Sequence, residues 1–271
     1  MALRINYNLA SSAAQRGLGA SQDAYAKQAN RLSTGLRINS ASDDAAGMAV
    51  SEKLKNQVRG LNQAQRNVQD GISLIQTAEG GLVEIHNILA RMRELAVQAN
   101  TDTLALADRA NLNAEFTQLR AEVTRIADTV TFNGLALLNG TTSNVLQIGA
   151  NNGNTLTVAS SDNDATALAI NANTVTDLTA AAAAITAIDT AINTVSTNRA
   201  NFGAMQNRLE SVGRSLAVAS ENTAAANSRV ADADIAESMS ELVRAQILQQ
   251  AGISVLAQAN QAPSLVLQLL R

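Results

Sequence analysis

The chain has no cysteine and no tryptophan, one proline, one histidine, and only two tyrosines and three phenylalanines in 271 residues. Without cysteine, disulfide staples, thiolate catalysis and cysteine-based metal sites are excluded. The lone His86 leaves histidine metal clusters and histidine-containing triads with at most one member. Aromatic residues at 2% leave little from which to build the bulky core layers of a typical globular enzyme. With Pro263 as the single proline, helices can run for many turns, because an interior proline costs about 3 kcal/mol. A net charge of -3 and a pI near 5.2 give no basic surface to release counterions from DNA or RNA, so no nucleic-acid partner is expected. No segment approaches the roughly 20 apolar residues of a membrane span, so membrane insertion is not expected. Met1-Ala-Leu-Arg-Ile-Asn6 lacks the charged head, apolar run and cleavage site of a secretory signal. The expectation is a protein that stays in the cytoplasm or leaves by a route that reads something other than a cleaved signal.

What the sequence does have is small aliphatic residues, which suit the thin seam between long helices. Leu54, Leu61, Val68, Ile75, Leu82, Leu89 and Ala96 recur every seven residues, with a second row three residues on at Ala64, Gly71, Ala78, Ile85, Met92 and Ala99. These are the a and d positions of a sustained heptad, which keeps one stripe against a partner helix. From Leu61 to Ala99 such a helix is roughly 58 Å long. Gly80-Gly81 interrupts its propensity but not its phase. A break at Asn100-Thr-Asp-Thr103 supplies capping side chains, and a second helix follows with Leu112, Phe116, Leu119, Val123, Ile126 and Val130. So short a connection makes the two antiparallel neighbours. Later in the chain Ile188, Val195, Phe202, Leu209, Leu216, Thr223 and Val230 repeat the spacing, joined by Met205, Val212, Ala219 and Ala226. No such helix buries its stripe alone, so at least three pack as a bundle. The candidate bundle core is Leu61, Val68, Ile75, Leu82, Leu89, Phe116, Leu119, Phe202, Leu209 and Leu216.

Between the halves, residues 126–198 contain no lysine or arginine and are rich in Thr, Asn, Ala and Gly. Asn133-Gly134, Asn139-Gly140 and Asn152-Gly153 are turn signals, and the last lies between Val145-Leu-Gln-Ile148 and Thr155-Leu-Thr-Val158, which predicts a β-hairpin. Residues 160–177 read as a polar surface loop. The fold class is therefore mainly α: a long antiparallel coiled-coil helical bundle with a small β-hairpin region in the middle of the chain.

The two ends differ in sign. Residues 1–42 carry Arg4, Arg16, Lys27, Arg31 and Arg37 against Asp23, while residues 232–271 carry Asp232, Asp234, Glu237 and Glu241 against Arg244 and Arg271. Exposed pairs are worth little, so this favours association only weakly. Apolar residues say more: Ile5, Leu9 and Leu32 at one end and Ile235, Met239, Leu242, Ile253, Leu256, Leu267 and Leu270 at the other are the candidate contacts with further copies of the chain. The tail Leu265-Val-Leu-Gln-Leu-Leu270 is too apolar to remain free in water.

Catalytic chemistry has little to work with. Asp43-Asp44 is a paired acid in form, but it opens a helical pattern at Ala45, where carboxylates cap and complement the helix dipole. His86 sits on a helix as a surface or interface residue, and neither standard phosphate-binding glycine spacing is present. The chain is expected not to be an enzyme and to use no cofactor or metal. An amphipathic membrane-active role is disfavoured because few Lys, Arg or Trp flank the apolar tail.

The segment Leu32-Ser-Thr-Gly-Leu-Arg-Ile-Asn-Ser-Ala-Ser-Asp-Asp-Ala-Ala-Gly-Met48 resembles the N-terminal signature of bacterial flagellins. The same resemblance extends through Arg66-Asn-Val-Gln-Asp-Gly-Ile-Ser-Leu-Ile-Gln-Thr-Ala-Glu79, Met92-Arg-Glu-Leu-Ala-Val-Gln-Ala-Asn100 and Phe132-Asn-Gly134. It returns in Ala231-Asp-Ala-Asp-Ile-Ala-Glu237 and Gln249-Gln-Ala-Gly-Ile-Ser-Val-Leu-Ala-Gln-Ala-Asn260. The resemblance implies a subunit of the extracellular flagellar filament that serves swimming, with residues 1–42 and 232–271 as an inner terminal coiled-coil domain. Residues 43–231 are then a helical rod with its hairpin and loop insert at about 131–178, and no large outer domains. It also implies export in an unfolded state by the flagellar type III system and assembly at the filament tip. The implied partners are further subunits, the filament cap and hook-filament junction proteins, an export chaperone, and an animal Toll-like receptor contacting Arg91, Leu95 and Glu115. The alternative in the same export class is a hook-filament junction protein.

Overall fold

A computed structural model describes residues 8–140 and 143–269, with side chains described through Gln261. The fold is mainly α. Among the described residues five helices run in chain order, α1 Leu9–Thr34, α2 Ala45–Ala99, α3 Leu106–Thr129, α4 Leu178–Ala231 and α5 Ile235–Leu269. Between α3 and α4 lie two antiparallel ribbons, β1 Thr131–Phe132 with β2 Leu135–Ala136, and β3 Ser143–Gln147 with β4 Thr155–Ala159. The contacts divide the chain into two compact units, residues 57–221 and residues 1–56 with 222–271. These boundaries fall further from the chain ends than the 42/43 and 231/232 limits expected. The turn before α2 and the first turns of α2 belong with the terminal segments, the turn through Lys27 Nζ to Asp43 Oδ1, 2.7 Å, and the helix through Ser51 Oγ to Asn227 Oδ1, 2.8 Å.

In the unit of residues 57–221, α2 and α4 run antiparallel, as Asn62 with Ser220 (2.8 Å) and Arg93 with Asp189 (2.6 Å) show. The a and d rows of α2 are its inner face: Leu61, Ala64, Val68, Ile75, Ala78, Leu82, Ile85, Leu89, Met92, Ala96 and Ala99 are all buried. α4 answers with Ile188, Val195, Phe202, Leu209 and Leu216, and α3 with Phe116 and Val123, while Leu119 is half-buried against them. By length and mean hydropathy α4 could cross a membrane, which qualifies the expectation that no segment could. Its buried residues Ala181, Ala184, Ile188, Ala191 and Val195 are committed to this core.

The turn between α2 and α3 works differently from the expectation. No side chain from Asn100 to Thr103 caps α3; instead Asp108 Oδ2 reaches back to the Ala105 N–H at 3.3 Å. The buried Arg109 donates from Nε to the Ala99 carbonyl (3.1 Å) and from Nη2 to Thr101 (2.5 Å), placing a cation on the carbonyl-rich end of α2.

The hairpin forms at its expected place, with Val145 opposite Thr157 and Gly153 at φ 87° in its turn. Leu156 and Val158 point inward and are buried. A second, shorter hairpin turns at Asn133 and Gly134, both at positive φ. Residues 160–177 have neither helix nor strand but are not a free surface loop. Asn163, Ala165, Leu168, Ile170 and Val175 are buried there. The segment is tied by Asn163 N–H to Leu138 O (2.8 Å), Arg120 Nη1 to Asn171 O (2.6 Å) and, between side chains, Asn198 Nδ2 to Asn163 Oδ1 (2.8 Å).

Candidate assembly interface

The terminal unit is built on α1 and α5 lying antiparallel. Asn8 Nδ2 donates to Ala259 O at 2.8 Å, Ser11 Oγ to Asn260 Oδ1 at 2.9 Å, and Leu36 pairs with Asp232 at the other end. The seam on α5 is Ser238, Leu242, Ala245, Gln249, Gly252, Leu256 and Ala259, alternating four and three residues apart and all buried or half-buried. Every second member is small, which lets the backbones approach: a Cβ on Gly252 would stand 3.4 Å from Leu18 Cδ1. This row of Ser, Ala and Gly does not stand out as a stripe because none of its small members is a large apolar residue. Its heptad spacing is the signal that could have found it.

Both helices begin on side-chain caps. Asn8 Oδ1 accepts from Ser11 N–H at 3.0 Å, and Asp234 Oδ1 accepts from Ala236 and Glu237 N–H at 2.8 and 3.1 Å. The Asp43-Asp44 pair divides its labour. Asp44 Oδ1 caps α2 through Gly47 N–H at 2.9 Å. Asp43 holds the preceding turn, taking hydrogen bonds from Asn39 N–H and Ser40 N–H at 3.3 Å beside its ion pair with Lys27. The Lys27 hydrogen bond, with help from the Asn39 and Ser40 amides, lowers the Asp43 carboxyl to about 2.

The links between helices clasp each other. Arg37 N–H donates to Ala231 O at 2.7 Å, Arg37 Nη2 to Val230 O at 2.7 Å, and Ala233 N–H to Gly35 O at 2.9 Å. Gly35, at φ 71°, ends α1 in the left-handed conformation this crossing requires.

The expected contact residues fall into three groups. Leu32, Leu242 and Leu256 are half-buried, Leu242 and Leu256 in the seam with α1. Leu9, Ile235, Met239 and Ile253 are exposed, and Val243, Ile247, Leu248 and Val255 join them. Ile5, Leu267 and Leu270 lie outside the described side chains. α5 therefore carries large apolar residues outside its seam as well as in it, interspersed with exposed polar ones such as Glu237, Arg244, Gln246 and Gln250. A shallow groove of 260 Å³ between α1 and α5, lined by Ala24, Gln28, Ala245 and Leu248 among others, continues that surface.

The residues expected to meet a receptor are not all at the surface. Arg91 is exposed and bridges Glu94 Oε2 (2.9 Å) and Glu115 Oε1 (3.0 Å), but Leu95 is fully buried in the α2 core row. Leu95 falls between the two heptad rows, and the 3.6-residue helix carries it onto the inner face beside Met92. His86 is half-buried on the same helix. Among the described residues no group of three or more His, Asp or Glu side chains is placed to hold a metal ion.

A mainly helical chain whose first and last helices pair and leave an apolar outer face has the build of a subunit of a larger assembly. The chain belongs to the bacterial flagellin family: the model of the flagellin N-terminal helical region matches residues 5–143 and that of the C-terminal helical region residues 185–270. It is 52% identical to a flagellin of Halalkalibacterium halodurans over 98% of this chain and 99% of that one. It is 43% identical to the flagellar filament 31.3 kDa core protein of Treponema maltophilum, again over 98% and 99%. The crystal structure of Bacillus cereus flagellin superposes with a TM-score of 0.52 at 35% identity, covering 56% of this chain and 88% of that one.

Proposed function

We propose that the chain is the structural subunit of an extracellular flagellar filament and that subunits join through the outer apolar faces of the α1/α5 pair. The observation that carries this is the run Ile235, Met239, Val243 and Ile247, four residues apart and exposed on a helix whose seam face is already occupied by α1. Leaving such a stripe in water is unfavourable by roughly 25 cal/mol for each Å² of apolar surface, so association with further copies is favoured. A surface that meets a different surface on the next copy does not close on itself and propagates as a helix, the geometry of a filament. Matches to flagellin models at both ends support a filament subunit over a hook-filament junction protein. Export in an unfolded state through the flagellar type III route fits a chain with no cysteine to crosslink on the way, and an export chaperone would cover the apolar face of α5 beforehand. A receptor reading the rod would meet Arg91 and Glu115, with Leu95 acting only as packing beneath them.

The test is polymerisation of purified protein, followed by light scattering and electron microscopy, for the parent and for Val243→Asp/Ile247→Asp. Both positions are exposed, so helicity by circular dichroism should be unchanged while filaments fail to form. A parent chain that never polymerises, or a double variant that polymerises like the parent, overturns the proposal.

A further inference from the structure

The described residues hold four methionines in different settings. Met92 is fully buried in the α2 core, Met48 and Met205 are half-buried, and Met239 stands 47% exposed near the start of α5. A thioether reacts with oxidants according to how much of its sulfur solvent can reach. Met239 is flanked one turn either way by Ile235 and Val243, both exposed, so its side chain completes an apolar strip rather than packing inside the unit.

We propose that Met239 is a peroxide-sensitive modification site, and that its oxidation in the free subunit blocks that subunit from joining others. This rests on reading the outer face of α5 as the subunit contact. In the reaction a hydroperoxide transfers one oxygen to Sδ. The O–O bond breaks, an S–O bond forms, sulfur gives up two electrons, and the remaining oxygen leaves as water or an alcohol. The product is a polar sulfoxide in the middle of the strip. It has a strong acceptor that an apolar partner surface cannot satisfy, so burying it on assembly is penalised. Once a subunit has assembled, the same contact shields the sulfur, so sensitivity is confined to unassembled protein.

The experiment treats monomer with hydrogen peroxide and follows two readouts, the order of sulfoxide formation by peptide mass spectrometry and the critical concentration for polymerisation. Met239 should oxidise before Met48, Met205 and Met92, and the critical concentration should rise about ten-fold, the effect of one unsatisfied polar group at a contact. Met239→Leu, whatever its own critical concentration, should show no rise in it on treatment, and methionine sulfoxide reductase should restore treated parent protein. Oxidation of Met48 or Met205 ahead of Met239, or equal loss of polymerisation in treated Met239→Leu, overturns the inference. Untreated parent protein that does not polymerise overturns the filament reading instead, and the mass-spectrometric order still reports on Met239.

Discussion

Pro263 lies inside α5 yet the helix continues to Leu269. A proline has no N–H to give to the carbonyl four residues back, which here is Ala259. That carbonyl is the one Asn8 Nδ2 reaches at 2.8 Å, while Asn8 Oδ1 caps α1. One side chain thus starts one helix and repairs the other, fixing how the two are paired. Asn8→Ala should cost about 1–2 kcal/mol as a lost cap and an unsatisfied carbonyl. With Pro263→Ala already in place the helix can serve its own carbonyl, so the cost of Asn8→Ala should shrink toward that of the cap alone; a double-mutant cycle by chemical denaturation reads the difference. Asp43 sets a pH dependence. Its folded carboxyl is lowered from 3.8 to about 2 by Lys27 and the Asn39 and Ser40 amides, so the stabilisation is complete above the unfolded value and is lost as pH falls through the folded one. Acid titration of the terminal unit should show a loss of stability between about pH 4 and pH 2 that Lys27→Met diminishes, with the Asp43 carboxyl resonance moving upward in pH.

At the scale of elements, α2 carries three glycines under the segment from Val130 to Ala150. Gly60 lies against Ala150, Gly71 against Leu146, and Gly81 against Val130 and Leu138. These are places where the β region approaches the helix too closely for a side chain. Gly80 beside them faces open space. Gly80→Ala should therefore stabilise by about 0.5–1 kcal/mol through helix propensity. Gly81→Ala should destabilise, because the new Cβ would stand 2.7 Å from Leu138 Cδ1 and 2.9 Å from Val130 Cγ2, a contact a stiff, β-branched valine relieves poorly. Thermal melts of the two variants should move in opposite directions. The heptads of α2 and α4 and the hairpin at Asn152-Gly153 are legible in the sequence alone, since large apolar residues at fixed spacing and a turn dipeptide announce them. Which glycine of the pair matters is not legible there, because it depends on what a distant segment lays over the helix. The packing of residues 160–177 is hidden for a similar reason: their Thr, Asn and Asp content masks Leu168, Ile170 and Val175, and tertiary partners that include Leu138, Asn113, Arg120 and Asn198 order them.

For the molecule as a whole, the two units differ in how they are held. Residues 57–221 share one continuous core of large apolar residues, while the terminal unit relies on small-residue contact, caps and polar links. Burial per residue sets local stability, so monomer should unfold in two steps. The terminal unit should lose helicity at lower temperature, and polymerisation should shift only that step upward, as expected when binding favours the folded form of one part. A single transition in differential scanning calorimetry, at the same temperature for monomer and filament, would contradict this division.

The crossing at Gly35, Arg37, Ala231 and Ala233 gives this arrangement a limit. Fraying that starts at the tips of α1 and α5 can open the seam turn by turn, but at the crossing it meets hydrogen bonds that join both links at once, including the Arg37 guanidinium on Val230. The crossing behaves as the bottom stop of a zipper. Protection from amide exchange should rise abruptly there, and a subunit with its terminal helices undone would still hold the two slider halves side by side, ready to close again without searching for one another.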